Sequence, residues 1–360
     1  MTKRFTKFLS LLMVLLLTVS ATGGVVQANA AEKDDQIKAG LVMKTMDGSF
    51  FVSMVDMFKA ECEKLGWEMN VLNSESDTAK EAENMETFIT QDYDIIFIDP
   101  YDTEGCVEAI NRAVDAGIPV IAVDNSPGDS AKVSSIVFPD NLQNGLMVGE
   151  WVAKTQFKTD EAINAVCMGG QKGLEAARER RVGVIAGIIK GRLECTEEEA
   201  WAIATPFEQE LIDNGKASNE AANFHINGIG WGGYSYLGGL EAAEDLFVAN
   251  SDTNFMFGEN DAMLLGALGA IETAGLTEQV VIAGAADGQK EALELILAGT
   301  KYVATGNNKP DNTVASAMKI AVEIIENGAD PFSFERVTLT EAACINPENV
   351  ADFYNPDSAF

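Results

Sequence analysis

Short apolar runs alternate with longer amphipathic stretches along most of this chain. Residues 37–43 form an apolar run of strand length, and apolar side chains then recur every three or four residues from Phe51 to Leu65, just before Gly66. This spacing predicts a buried strand followed by a helix that ends at the glycine. The alternation continues with predicted strands at 67–72, 94–99, 118–123 and 133–138 and predicted helices at 78–91 and 103–116.

The same pattern starts again after Asp140. Predicted helices cover 142–155, 173–190, 262–274, 289–297 and 312–327, and predicted strands cover 163–168, 254–258, 280–285 and 302–305. Strands that alternate with helices indicate parallel sheets covered by helices on both faces. Roughly 330 residues follow position 30, which is too many for one small core, so we expect an α/β protein of two similar lobes.

Residues 194–219 interrupt this alternation. The segment contains three consecutive glutamates at 197–199 and has Pro206 within an otherwise helical pattern. We interpret it as an acidic surface insertion that is helical in part. Three glutamates could bind a cation, but acidic residues are typical of the first turn of a helix, and we favour that interpretation.

The N-terminal thirty residues have the pattern of a signal peptide. Lys3, Arg4 and Lys7 precede an apolar run at 8–19, and Ala28-Asn29-Ala30 has the form of a cleavage site. A retained membrane anchor is the alternative, but the run is shorter than the about 20 residues that span a bilayer. No cysteine lies at the cleavage point for a lipid to modify. We therefore expect a mature chain that begins near residue 31.

Composition narrows the possible functions. Removal of the first thirty residues, which carry three bases and no acids, takes the formal net charge from −31 to −34. Such acidity argues against nucleic-acid partners and against adsorption to anionic lipid. The single histidine, His225, argues against a histidine-based catalytic triad or a multi-histidine metal site. The five cysteines are widely spaced, which favours small buried side chains over a disulfide framework.

Polar and aromatic side chains follow the predicted strands, where ligands bind in parallel α/β sheets. They are Phe50, Phe51, Asp99, Asp124, Asn125, Asn141, Arg180, Trp231, Tyr234, Asn260, Asp287 and Asn308. Carboxylates and amides match the paired hydrogen bonds of adjacent sugar hydroxyls, and aromatic rings cover the C–H faces of a sugar. Taken singly, several of these residues have structural explanations, because Asp and Asn also cap turns and helices. Together they predict a pocket for a small sugar-like solute.

Several segments resemble the ribose-type periplasmic sugar-binding proteins. They include KTMDGSFFVSMVDMFKAECEKLGW, IPVIAVDNS, VFPDNLQNGLMVGEWVAK, LEAARERR, MFGENDAMLLGALGAIETAG, AADGQKEAL, VATGNNKPDNTVASAMKIA and TEAACINPENVADFY. The segments keep the family's order from about residue 37 to about residue 355, with the acidic insertion as the main gap.

The resemblance implies the type I periplasmic-binding-protein fold, with two doubly wound parallel-sheet lobes joined by a multi-strand hinge. We expect residues 36–139 with about 309–332 to form the N-terminal lobe, and residues 140–308 with about 333–360 to form the C-terminal lobe.

The resemblance also implies roles for individual residues. The family's paired aromatics match Phe50 and Phe51, and its strand-end Asp matches Asp124. Its Asp-Asn at the lobe crossing matches Asp140-Asn141, and the second Arg of its A-R-x-R matches Arg180. Its Asn before Asp matches Asn260, its Asp-Gly matches Asp287, and its late amide matches Asn308. The ring-covering aromatic falls on Tyr234, with Trp231 as the alternative. Two family donors are absent, since Gly48 and Asn125 stand where ribose binders have Asn and Arg, so another pentose, a hexose or a polyol is an equal candidate.

As a function, the resemblance implies an exported receptor that delivers a sugar or polyol to the permease of an ABC importer. We expect a periplasmic monomer without cofactor, metal, nucleic-acid partner or enzymatic activity; a protein secreted outside the cell is the alternative location. A sugar receptor for chemotaxis is a related alternative. A glycosidase would need a carboxylate pair such as Asp124 and Asp287. A DNA-binding regulator of the same fold is excluded by the signal peptide.

Overall fold

The computed structural model describes residues 36–358 and 360. The predicted signal peptide at 1–30 lies outside the described residues. The elements of the first half are β1 (Lys38–Met43), α1 (Ser49–Leu65), β2 (Glu68–Asn73), α2 (Thr78–Thr90), β3 (Ile95–Ile98), α3 (Val107–Asp115), β4 (Val120–Val123), β5 (Ser135–Pro139), α4 (Asn141–Thr155), β6 (Ile163–Gly169) and α5 (Glu175–Leu193).

The elements of the second half follow the acidic segment. They are α6 (Glu197–Asn214), β7 (Ala217–Asn219), β8 (Phe224–Trp231), α7 (Tyr236–Ala249), β9 (Phe255–Gly258), α8 (Asp261–Thr273), β10 (Val281–Gly284), α9 (Lys290–Leu297), β11 (Tyr302–Gly306), α10 (Pro310–Ile325), β12 (Val337–Thr340), β13 (Cys344–Ile345) and α11 (Val350–Phe353).

The first sheet has the order β12-β5-β4-β3-β1-β2 and is parallel throughout. Alternate residues of its strands face opposite sides. Leu41 and Phe97 belong to the core on the side of α1 and α10, whereas Val42 and Ile96 belong to the core on the side of α2 and α3. Both faces are buried, which explains why these strands are continuous apolar runs in the sequence.

The second sheet has the order β13-β11-β10-β9-β6-β8-β7, with only the short edge strands β7 and β13 antiparallel to their neighbours. Helices α4, α5 and α6 cover one face, and α7, α8 and α9 cover the other. The predicted fold class of two doubly wound lobes is confirmed.

The chain crosses between the sheets three times, after β5, after β11 and after β12. The buried side chain of Asn144 on α4 connects these crossings. Its amide nitrogen donates to the carbonyl of Asn307 at 3.0 Å, and its oxygen accepts from the backbone N–H groups of Asn307 at 3.2 Å and Ala343 at 3.0 Å. One side chain therefore fixes the hinge segments to each other.

Two sequence predictions need correction. Residues 333–360 were expected in the C-terminal lobe, but β12 pairs with β5 at the edge of the first sheet. This strand is half-exposed, so no buried apolar run marked it in the sequence.

The acidic segment is helical in part, as predicted, but it does not lie only on the surface. Helix α6 buries one face, including Ala200, Ala204, Phe207 and Leu211. Its three glutamates lie in the first turn, where Thr196 and Glu199 form a reciprocal capping box.

Candidate functional site

Three side chains form a charged cluster at the carboxyl edge of the first sheet. Lys44 follows β1, Asp99 follows β3 and Asp124 follows β4, so parallel pairing brings them together. The Nζ atom of Lys44 lies 2.8 Å from Oδ2 of Asp124 and 3.4 Å from Oδ1 of Asp99. The cluster therefore holds one cation between two carboxylates.

The protonation of this cluster follows from its burial. Burial acts to lower the pKa of Lys44, but the charges of Asp124 and Asp99 outweigh it and raise that pKa above its ordinary value. Asp99 is fully buried, and burial raises the pKa of its carboxyl well above the usual range, although Lys44 opposes the shift. The ammonium of Lys44 is thus held firmly in its charged form.

The first-lobe aromatics and Asn125 border this cluster. The Phe51 ring lies with its centroid 4.8 Å from Nζ of Lys44, and the rings of Phe50 and Phe51 meet edge to face at 5.4 Å. The amide of Asn125 donates to Oδ1 of Asp99 and to the carbonyl of Pro100, both at 3.2 Å. Asn125 therefore orients Asp99.

A second cluster lies at the carboxyl edge of the second sheet. Arg180 on α5 donates from Nε to Oδ1 of Asn141 at 2.9 Å, and its Nη1 lies 3.6 Å from Oδ1 of Asp287. Asn308 donates to the same Asp287 oxygen at 3.1 Å. Asn260 caps α8 by accepting from the N–H of Met263 at 3.2 Å. The capping interpretation is confirmed. Asn260 also acts to lower the pKa of the neighbouring Asp287, and its contact with a ligand stays a prediction.

The loop that carries Asp287 is held by Asp261, the first residue of α8. Its carboxylate accepts four hydrogen bonds, from the hydroxyls of Tyr302 and Thr305 at 2.7 Å each and from the N–H groups of Gly288 at 2.9 Å and Gln289 at 2.8 Å. This network sets the position of Asp287, which is 7 % exposed.

The two clusters interact across the space between the lobes. Burial raises the pKa of Asp287, Arg180 and Asn308 oppose the shift, and the negative charge of Asp124 adds to it. The charge of Asp124 in the first lobe therefore influences the carboxyl of Asp287 in the second. The buried side-chain atoms without a hydrogen-bond partner in the described part of the chain include one acceptor from each cluster, Oδ2 of Asp99 and Oδ1 of Asn308. Buried acceptors without partners favour a ligand that brings hydrogen-bond donors.

Tyr234 and Trp231 take different places. The Tyr234 hydroxyl donates to Oε2 of Glu259 at 3.1 Å, beside the cluster around Arg180. The Trp231 ring has the guanidinium of Arg181 at 5.6 Å and the ammonium of Lys172 at 5.1 Å from its centroid. Which ring covers a ligand stays a prediction.

Sequence reasoning missed Lys44, and it named Asp99 only among the strand-end residues without assigning it a role. Both residues follow strands of the first sheet. Asp124 was selected because ligands bind beyond the carboxyl ends of parallel strands, and the same criterion could have selected Lys44. It also missed Arg181, whose pairing with Glu259 depends on tertiary packing between α5 and the end of β9.

The described residues contain neither a cluster of metal-binding side chains nor a helix that could span a membrane. Between residues 36 and 358, and at 360, no group of His, Cys, Asp and Glu side chains is arranged to hold a metal ion. Within the same residues, no helix combines the length and apolarity needed to cross a bilayer. The five cysteines, all of which lie in this part of the chain, are free.

Two lobes, three crossings and facing polar clusters define a two-lobed solute-binding protein. The chain belongs to the periplasmic binding protein domain family, whose profile matches residues 39–329. The ribose import binding protein RbsB of Escherichia coli (strain K12) is 29% identical over 313 residues, which cover 86% of this chain and 91% of that protein. The resemblance to ribose-type binding proteins is thereby confirmed.

Solved structures show the same fold. An ABC transporter solute binding protein from Mycobacterium smegmatis, with bound glycerol, has a TM-score of 0.71 and 25% identity, covering 90% of this chain and 98% of that one. A periplasmic solute binding protein from Actinobacillus succinogenes 130z has a TM-score of 0.71 at 22% identity, covering 88% and 100%. The family consists of substrate-binding transport proteins, which sets aside the glycosidase alternative.

Proposed function

We propose that this protein is an exported receptor that binds a neutral sugar or polyol between its lobes and delivers it to an ABC importer permease. The single observation that carries the proposal is the pair of facing clusters, Lys44 with Asp124 and Arg180 with Asp287, inside a family of solute receptors. One relative is a ribose import binding protein and another was solved with bound glycerol, and both solutes are neutral polyhydroxy compounds.

The charges of the cleft favour a neutral ligand. Lys44 lies between Asp99 and Asp124, and Arg180 lies beside Asp287, so each cation of the two clusters already has a carboxyl partner. An anionic sugar would have to compete with these carboxyl groups for the two cations. A hydroxyl both donates and accepts, so vicinal hydroxyls suit carboxylates, a guanidinium and amides simultaneously.

The proposed ligand-binding residues come from both lobes. Lys44, which is added from the structure, joins the set predicted from the sequence: Phe50, Phe51, Asp124, Asn125, Asn141, Arg180, Trp231, Tyr234, Asn260, Asp287 and Asn308. We expect Asn125 to act mainly by orienting Asp99, because its amide already bonds to that carboxylate, and Asn260 to act through its neighbour Asp287, whose pKa it helps to lower.

Transport follows from closure of the lobes around the ligand. The closed receptor would dock on the permease as a monomer, in the periplasm after removal of residues 1–30. The acidic chain is expected to have no nucleic-acid partner, since phosphate binding depends on basic side chains.

A thermal-shift panel tests the proposal on the mature protein. The panel contains D-ribose, D-xylose, D-glucose, D-galactose, myo-inositol and glycerol, with D-ribose 5-phosphate as the anionic control. A solute at about one hundred times its Kd adds about 2.7 kcal/mol to the free energy of unfolding, a readily measured rise in Tm. Stabilisation by a neutral member and none by the phosphate is expected. A protein stabilised only by the phosphate would contradict the proposal, and so would one stabilised by no member.

A further inference from the structure

Helix α6 carries one buried charge on its apolar face. Phe207 of this helix stacks on Phe224 of β8 at 5.4 Å, and Ala204 and Leu211 are fully buried nearby. Glu208 lies among them and is 2 % exposed. A leucine would pack there without the cost of removing a carboxylate from water. The carboxylate of Glu208 must therefore be paired with a buried cation, and its presence calls for an explanation other than packing.

The hydrogen-bonded partner is Arg181 of α5, which is 4 % exposed, and Nε of Arg178 on the same helix lies 4.0 Å from the other Glu208 oxygen. Its Nε and Nη2 atoms donate to Oε1 of Glu208 at 3.0 and 2.7 Å. Its remaining nitrogen, Nη1, bonds to Oε1 of Glu259, the residue that follows β9. Arg181 therefore joins two buried carboxylates from different elements, with both ends of its guanidinium occupied.

Glu259 connects this buried chain to the ligand site. Its other oxygen, Oε2, accepts from the Tyr234 hydroxyl at 3.1 Å and from the N–H of Gly170 at 2.7 Å. Its backbone carbonyl accepts from Nη1 of Arg180 at 3.2 Å. A shift of Glu259 would thus move one proposed ring-covering aromatic and the proposed guanidinium contact together.

We propose that Glu208 is a positioning residue of the ligand site, and that α6 acts on solute affinity through Glu208, Arg181 and Glu259; this inference rests on the proposed function. With Glu208 in place, the charge of Arg181 is shared between two carboxylates. Without it, Glu259 is the remaining carboxylate bonded to Arg181, so the guanidinium shifts towards Glu259 and competes there with Tyr234 and Gly170.

Two substitutions separate charge from packing. Glu208→Gln keeps the size of the side chain and removes its charge, whereas Glu208→Asp keeps the charge and shortens the side chain. A positioning role predicts that Gln is the more harmful change for solute affinity. A role in packing alone predicts the opposite order. Glu210→Gln, at an exposed position of the same helix, is the matched control.

Affinity is measured by calorimetry with the panel member that stabilises the wild type most, at a temperature where all variants are folded. We expect Glu208→Gln to weaken binding at least fivefold and Glu208→Asp to weaken it less. Glu210→Gln should stay within twofold of the wild type. Affinity of folded Glu208→Gln within twofold of the wild type would overturn the inference. If Glu208→Gln does not fold, Arg181→Lys carries the same test, because it keeps the charge but loses the fork that joins the two carboxylates.

A second measurement needs no solute. The guanidinium of Arg181 lies 5.6 Å from the Trp231 ring centroid, so displacement of Arg181 should change the emission of Trp231. We expect Glu208→Gln to alter the fluorescence of the ligand-free protein and a Trp231→Phe background to abolish that change. An unaltered spectrum would overturn the inference even if no panel member binds, whereas absence of binding alone would contradict the proposed function.

Discussion

Replacement of Lys44 by methionine tests the first-lobe cluster most directly. The change keeps the length of the side chain but removes the ammonium that lies 2.8 Å from Asp124 and 3.4 Å from Asp99. A hydrogen bond with a charged partner contributes about 1.5–3 kcal/mol, and 1.4 kcal/mol is tenfold in Kd. If Lys44 donates to a ligand hydroxyl, K44M should weaken solute binding by roughly 10- to 100-fold.

The same change should destabilise the empty protein. Loss of one partner from a buried ion pair costs about 3–5 kcal/mol. The side chain of Lys44 retains 17 % exposure, so we expect the lower end, about 3 kcal/mol. Because burial already raises the pKa of Asp99 well above its usual range, its carboxyl takes up a proton more readily than an ordinary aspartate as the pH falls, and this limits the loss. The deficit should therefore be larger at pH 8 than at pH 5.

Calorimetry gives the affinity, and urea unfolding at the two pH values gives the stability. Lys59→Met, at an exposed position of α1, is the control for replacement of a lysine by methionine and should leave both quantities unchanged. If K44M binds solute as tightly as the wild type, Lys44 does not contact the ligand. If its stability is also unchanged, the ion-pair reasoning fails as well.

Three further predictions concern the carboxylates and the hinge. Asp287→Ala leaves Arg180 and Asn308 without their shared partner, so calorimetry should show at least tenfold weaker binding; unchanged affinity would place the solute elsewhere. Burial raises the pKa of Glu81 from 4.5 to about 7, so the folded state binds more protons than the unfolded state in this window and stability falls as pH rises through it. Glu81→Gln should reduce that fall by about 3 kcal/mol between pH 4.5 and 7 in urea unfolding, and identical pH profiles would contradict the assignment. Asn144→Ala removes three hydrogen bonds at the hinge and should cost about 3 kcal/mol of unfolding free energy, whereas a loss below about 1 kcal/mol would show that the three crossings do not depend on it.

Most of the fold could be predicted from the sequence because its strands are buried on both faces. Runs such as Ile95–Ile98 and Val120–Val123 are apolar throughout, and the helices between them bury one face with a period near 3.6. The hydrophobic pattern does not predict an element that is only partly buried, or a helix whose apolar residues lie among acidic residues and a proline. The half-exposed strand β12 had no such run, and the buried face of α6 was hidden by its acidic first turn and Pro206.

The candidate site likewise has residues that the sequence could predict and residues that it could not. Residues that follow strands, such as Asp124 and Asp287, are predictable because parallel pairing places all strand ends at one edge. The partner of each charge is not predictable, because it depends on which elements are neighbours. Arg181 and Glu208 lie on different helices, 27 positions apart, and only the packing of α5 against α6 brings them together.

The arrangement of charges at the cleft explains why a solute would promote closure. The ion pairs of Lys44 with Asp124 and of Arg180 with Asp287 each lie within one lobe, so opening the lobes need not break them. Across the cleft, the negative charge of Asp124 acts to raise the pKa of Asp287, so the approach of the two carboxylates is unfavourable when both are ionised. On the proposed function, we expect a neutral solute whose hydroxyls donate to both carboxylates to offset that repulsion with bonds that require both lobes. A ligand shifts such an equilibrium only through contacts that differ between the two forms, and these bonds are of that kind.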